Sequence, residues 1–166
     1  VQESPDLVYS SMLWRGRPSQ RPLCCGRTFF AAGLVEEAKA EARRLIAALK
    51  PYVARGVPIV GLEPSCLLTL RDEMLAMGLG DDAKAVAERA LMLEEHLAAD
   101  ARKGVLTAPI GRLDGKALLH GHCHQKSFGV MGAVEAALRL VDGLAVETVE
   151  AGCCGMAGSF GYARET

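Results

Sequence analysis

Three short apolar segments have the composition of β-strands, and each leads directly into a loop that carries cysteine. The strand predicted over 57–62 precedes Cys66, and the strand through Leu118 and Leu119 precedes Cys123. The strand predicted over 144–150 precedes Cys153 and Cys154. Helical sequence separates these strands. Because parallel strands are joined by helical crossovers, the order predicts an α/β fold with a largely parallel sheet flanked by helices.

Apolar residues at helical spacing predict the segments between the strands. The predicted helices cover residues 34–50, 64–77, 82–101 and 130–141. Pro51 is expected to end the first helix, and Asp81 or Asp82 to cap the third.

The carboxyl ends of parallel strands meet at one edge of a sheet, which is where open α/β folds bind ligands. We therefore expect the cysteines that follow the strands to share one crevice. These are Cys66, Cys123, Cys153 and Cys154. Cys24 and Cys25 precede a helix, whose amino terminus favours charged thiolates.

Four of the six cysteines form two adjacent pairs, each followed by glycine. In a reducing cytosol such cysteines serve as ligands or redox groups more often than as structural disulfides. A bridge between neighbouring cysteines would also distort the peptide bond that joins them. For both sulfurs to face one ligand the backbone must turn sharply, so we expect positive φ at Gly152 or Gly155. The glycine spacing after Cys154 lacks the tight G-x-G of a dinucleotide loop.

Composition narrows the class of protein. The chain has 166 residues, of which 50% are hydrophobic, and a net charge of −1 without any basic run. This balance is that of a soluble globular domain and does not favour nucleic acid or an anionic membrane as partner. No apolar run approaches the roughly 20 residues of a membrane span, and no signal peptide is evident, so a cytoplasmic location is expected.

Four segments together resemble the cysteine-rich CCG domain. They are CCGRTFFAAGL, GLEPSC, LLHGHCHQK and AGCCGMAGSFGY. That domain occurs in the CCG-bearing polypeptide of heterodisulfide reductase, in iron–sulfur subunits of glycolate and lactate oxidation, and in the C-terminal part of fused FAD-linked oxidases, which this sequence resembles most. The resemblance covers residues 21–166 and leaves 1–20 unassigned.

The resemblance implies an iron–sulfur cluster in the intact protein and FAD on another domain. The implied cluster ligands are Cys24, Cys25, Cys66, Cys123, Cys153 and Cys154, supported by Gly26, Gly152, Gly155, Glu63, His122 and His124. The implied partners are a flavin-containing dehydrogenase domain or subunit, other iron–sulfur modules and a membrane-associated electron acceptor. The module would relay electrons in a 2-hydroxyacid dehydrogenase of glycolate or lactate type, without being catalytic alone.

The family also implies two pseudo-repeated halves, here about 21–99 and 100–166, each ending in a late C-x-x-C. Glu63 stands where one of those thiols would be, and no cysteine follows Cys154. The expectation is therefore a fragment of a larger protein, in which the cluster is absent or incomplete.

Other interpretations remain open for the same residues. Cys123, Cys153 and Cys154 form a candidate metal set that His122 and His124, or His120 alone, would complete for zinc. Glu63 alternatively caps a helix, the histidines alternatively fix a loop, and Lys126 balances thiolate charge. The alternative function is a zinc-binding or metal-free docking domain, and a third is thiol–disulfide exchange at a vicinal cysteine pair.

Overall fold

The computed structural model describes residues 8–10, 22–152 and 154–156. The chain divides into two compact units, Val1–His96 and Leu97–Thr166. Helices and short parallel strands make up both units, which confirms the α/β class in its broad form. The expectation of one sheet is wrong for the described residues, because their strands form two separate sheets.

The first unit contains a three-stranded parallel sheet in the order β1-β2-β3. Its elements are β1 (Val8–Ser10), α1 (Arg27–Ala31), α2 (Val35–Ala54), β2 (Ile59–Gly61), α3 (Pro64–Arg71), α4 (Glu73–Ala76), α5 (Asp81–Arg89) and β3 (Ala90–Met92). The helix α6 (Leu93–Lys103) follows and contains the division between the units.

The core of the first unit lies around β2, whose residues are all buried. The α2 side chains buried in it include Ala38, Ala42, Ile46 and Leu49. They confirm the apolar face predicted for this helix except at Leu34, which precedes the helix and is 46% exposed. Leu67, Leu68 and Leu70 of α3 are also buried, so the helix after β2 is held by the same core.

Several helix boundaries differ from the prediction. The helix predicted over 64–77 is divided at Asp72 into α3 and α4. The helix α2 continues through Pro51 to Ala54, because a proline in the last turn removes only one backbone hydrogen bond. The helix predicted over 82–101 is interrupted by β3, in which Leu91 pairs with Val60 of β2. Pairing with a buried strand outweighs helical periodicity there.

The amino terminus of α5 also differs from the prediction. Asp81 and Asp82 lie in its first turn. The cap position is occupied by Gly80, so no side chain caps this helix.

The second unit contains a two-stranded parallel sheet. Its elements are β4 (Arg112–Leu119), α7 (Cys123–Ser127), α8 (Met131–Leu138) and β5 (Asp142–Thr148). The strands predicted at Leu118 and over 144–150 are thus confirmed. On β4, Leu113 and Leu118 remain 60% and 66% exposed. Across the described ranges, no helix is both long and apolar enough to cross a membrane.

The first cysteine triplet is attached to the core through Gly26. This residue is the cap of α1 and has φ of 85°. A Cβ atom at Gly26 would lie 2.6 Å from the carbonyl oxygen of Ala38, which is fully buried in α2. Only glycine combines this backbone angle with so close an approach.

We expect Gly26→Ala to lower the free energy of unfolding by roughly 2–4 kcal/mol, because the backbone angle and the contact with Ala38 both oppose a methyl group. The matched control is Gly33→Ala, where φ is 77° but nothing lies within 4 Å of the new Cβ. That variant should lose only about 1 kcal/mol. Urea unfolding measures both, and equal losses would contradict the close contact.

Candidate functional site

Cys25 and Cys66 come together from distant segments of the first unit. Cys25 precedes α1, Cys66 lies in the first turn of α3, and these two helices contact each other. Both side chains are half-buried free thiols. The position of Cys66 just beyond β2 is the strand-end position that the sequence predicts.

The pKa values of the two cysteines are shifted in opposite directions. Interaction with the Cys66 side chain, together with the backbone N–H groups of Arg27 and Cys25, outweighs burial and the charge of Glu63, and lowers the pKa of Cys25 from 9.0 to about 6. Interaction with the Cys25 side chain, burial and the charges of Cys25 and Glu63 raise the pKa of Cys66. Cys25 is therefore the more acidic of the two thiols.

Glu63 fixes the start of α3 at this pair. Its carboxylate accepts hydrogen bonds from the backbone N–H of Ser65 at 3.0 Å and from that of Cys66, while Pro64 occupies the first helical position. Burial raises the pKa of Glu63, but hydrogen bonds from Cys66 and Ser65 outweigh it and hold the pKa below its ordinary value. The helix-capping interpretation of Glu63 is confirmed.

Cys24 has a different local partner. Its sulfur accepts a hydrogen bond from the backbone N–H of Gly26 at 3.4 Å. Cys24 and Cys25 are both free thiols, so the vicinal pair is not bridged.

In the second unit, Cys123 is the first residue of α7, and His122 is its cap. The His122 side chain accepts a hydrogen bond from the backbone N–H of His124 at 3.2 Å, and the Gln125 side chain accepts one from the backbone N–H of His122 at 3.1 Å. The His122 and His124 rings stack with their centroids 5.2 Å apart. These contacts confirm that a histidine beside Cys123 fixes the loop.

Lys126 joins α7 to the segment before the second triplet. Its ammonium group donates to the carbonyl oxygens of Ala151 at 2.7 Å and Gly152 at 3.1 Å. Gly155 has φ of 85°, which confirms the positive φ predicted for this turn. Cys154 is exposed, and Cys153 lies outside the described residues.

The strand ends position the cysteines within each unit. Cys123 follows β4 and Cys154 follows β5, and the two strands are parallel, so these cysteines follow the same edge of one sheet. Cys66 follows β2, which belongs to the other sheet. The prediction that all of these cysteines share one sheet edge is therefore wrong.

The described residues supply only part of a metal site. Among them, no three His, Cys, Asp or Glu side chains are arranged to hold a metal ion. The thiolate of Cys25 and the thiol of Cys66 are soft donors suited to an iron–sulfur cluster or zinc, but clusters usually take four thiolates. The predicted metal set of Cys123, Cys153 and Cys154 includes a residue outside the described part.

The relatives found by sequence comparison are dehydrogenase polypeptides. A component of the anaerobic glycerol-3-phosphate dehydrogenase of Escherichia coli strain K12 is 27% identical over 143 residues, which are 86% of this chain and 36% of that polypeptide. The protein of the same name from E. coli O157:H7 gives the same values. D-2-hydroxyglutarate dehydrogenase of E. coli K12 is 32% identical over 110 residues, which are 64% of this chain and 10% of that protein.

The chain thus spans 36% of the length of the two glycerol-3-phosphate dehydrogenase relatives. No family model matches the sequence, and no solved structure does.

We expect Lys126→Met to release the segment before the second triplet, because it removes both hydrogen bonds to Ala151 and Gly152. Hydrogen exchange across 149–156 should become up to about fivefold faster, which corresponds to about 1 kcal/mol. The control is Lys103→Met, at the exposed end of α6 in the same unit. Equal exchange in the two variants would show that Lys126 does not hold this segment.

Proposed function

We propose that this chain is part of a redox module that relays electrons in a flavin-linked 2-hydroxyacid dehydrogenase of glycolate or lactate type. In the intact protein, the cysteines of each unit, together with ligands from the rest of that protein, would hold an iron–sulfur cluster. The observation that carries the proposal is that Cys25, just before α1, and Cys66, in the first turn of α3, are free and half-buried where these two helices contact each other. A cysteine that is free of disulfide bonds and has a lowered pKa is the form that binds metal.

The residues of the first unit are suited to holding and tuning such a group. Cys24, Cys25 and Cys66 would be its ligands from this unit, and the remaining ligands would come from the rest of the intact protein. The backbone N–H groups of Gly26 and Arg27, which now donate to sulfur, would set the electron density on the ligands. A bound cluster supplies one-electron transfer, and these donors raise its reduction potential.

In the second unit, Cys123, Cys153 and Cys154 are the proposed ligands. The cap formed by His122 and Gln125 positions Cys123, and Lys126 holds the backbone just before Cys153. The charge of Lys126 would also offset that of thiolates at this edge of the sheet.

The relatives support the redox class of this proposal. All of them are dehydrogenases or components of one, and one is named for a 2-hydroxyacid, D-2-hydroxyglutarate. Because this chain matches only part of each, substrate oxidation and the flavin are proposed to belong to another domain or another polypeptide. A cytoplasmic module with a membrane-associated acceptor is part of the same proposal.

A docking domain, with zinc or without metal, is the alternative. Two observations favour it. The described residues do not form a complete metal site, and β4 exposes the apolar side chains of Leu113 and Leu118. A contact with another protein would cover these side chains.

Anaerobic reconstitution with iron and sulfide distinguishes the two functions. In the intact polypeptide that carries this segment, we expect stoichiometric iron and acid-labile sulfide, visible absorption, and reduction by the flavin dehydrogenase. Cys25→Ser and Cys66→Ser should each lower the iron content, whereas the control Ser127→Ala, at an exposed position, should not.

The 166-residue chain prepared in air should contain zinc or no metal, because its described His, Cys, Asp and Glu side chains do not form a group that could hold a metal ion. Full iron and sulfide in this chain would contradict that expectation and show that the two triplets pool their cysteines. A colourless intact protein that takes up only zinc would overturn the redox proposal in favour of docking.

A further inference from the structure

The backbone around the two cysteine triplets has two features in common. Gly26 and Gly155, the third residues of the triplets, both have φ of 85°. In addition, a cationic side chain donates a hydrogen bond to the carbonyl oxygen of the residue two positions before the first cysteine. That residue is Pro22 in the first unit and Ala151 in the second. The same local arrangement therefore occurs in both units.

In the first unit the cation is Arg44 of α2. Its Nη2 atom donates to the carbonyl oxygen of Pro22 at 3.5 Å, and its Nη1 atom donates to the carboxylate of Glu41. Glu41 is only 4% exposed, and a carboxylate is costly to bury unless it is paired. The ion pair with Glu41 therefore fixes the direction in which Arg44 extends.

The helix α2 contacts the first triplet on both sides of its cysteines. Arg44 binds the carbonyl group of Pro22 before them, and Gly26 packs against the backbone of Ala38 after them. Along the helix axis, Ala38 and Arg44 are about 9 Å apart, which the chain from Pro22 to Gly26 can span. The two cysteines therefore lie between two points that α2 fixes.

In the second unit the cation is Lys126 of α7, which binds the carbonyl oxygens of Ala151 at 2.7 Å and Gly152 at 3.1 Å. Arg44 follows its triplet in the chain, whereas Lys126 precedes its own. Helices at different places in the chain thus supply the same contact. The contact is therefore a feature of the triplets themselves and not of a repeated helix.

We propose that Arg44 and Lys126 are equivalent positioning residues, each of which fixes the backbone of one triplet through the carbonyl group two residues before its first cysteine. The cation holds the start of the segment, and the glycine with positive φ sets the turn at its end. This inference deepens the proposed function, on which the role of the triplets as ligands rests. The positioning itself requires no metal.

NMR relaxation of the reduced, metal-free chain tests both residues, because backbone order parameters report local mobility. The double variant Glu41→Gln, Arg44→Met removes the cation without leaving an unpaired carboxylate buried. It should lower the order parameters of residues 23–25 from about 0.85 toward the flexible range below about 0.6, and leave residues 151–152 unchanged. Lys126→Met should have the opposite pattern, so each variant is the control for the other.

Conservative variants separate the effect of the cation from that of packing. Arg44→Lys and Lys126→Arg keep a positive donor and should retain most of the native order parameters. Glu41→Gln alone, which loses the carboxylate that directs Arg44, should give a smaller decrease at residues 23–25 and serves as a second variant for this unit. Amide chemical shifts of β2 and β5 check that each variant folds.

Three outcomes would overturn the inference. Unchanged order parameters at both triplets would show that the cations do not position them, and a decrease at only one triplet would show that the two residues are not equivalent. Equal decreases in the conservative and the methionine variants would show that the positive donor is not responsible. An intact polypeptide that takes up no iron would instead overturn the proposed function, and the positioning, measured without metal, would stand.

Discussion

The direct contact of Gly26 with the backbone of Ala38 determines where the first triplet lies. Because no side chain separates them, the start of α1 lies against α2, and Cys25 comes within reach of α3. Glu63 fixes the start of α3, where Cys66 lies, by accepting hydrogen bonds from backbone N–H groups of its first turn. The meeting of two thiols therefore depends on backbone packing and capping.

The opposite pKa shifts of Cys25 and Cys66 determine how these two cysteines can react. A thiolate without metal is normally unfavourable in a half-buried place, but the thiol of Cys66 and nearby N–H groups stabilise it at Cys25. A cysteine with a lowered pKa is suited to binding a soft metal.

The sequence predicts the local parts of this arrangement better than the contacts between them. The strands before Cys66 and Cys123 follow from apolar runs, and the cap at Glu63 is one of the roles that its position before Pro64 suggests. The split between two sheets was not predictable from periodicity, since Leu91 fits a helical pattern until a buried strand pairs with it.

The opposite pKa shifts of Cys25 and Cys66 likewise depend on how α1 packs against α3, for which no sequence pattern exists. The hydrogen bonds from Lys126 to the carbonyl groups of Ala151 and Gly152 could not be predicted either, because these residues lie far along the chain from Lys126.

The titration of Cys25 tests the thiolate–thiol pair most directly. Thiolate absorption in the far ultraviolet, measured on reduced, metal-free protein from about pH 5 to about pH 9, reports each cysteine as it ionises. The difference between the native chain and Cys25→Ser isolates Cys25, and it should show a midpoint at the lowered pKa of about 6. In a Cys66→Ser background the midpoint should move upward. A midpoint at the ordinary cysteine value in the native chain would contradict the pair and the function built on it.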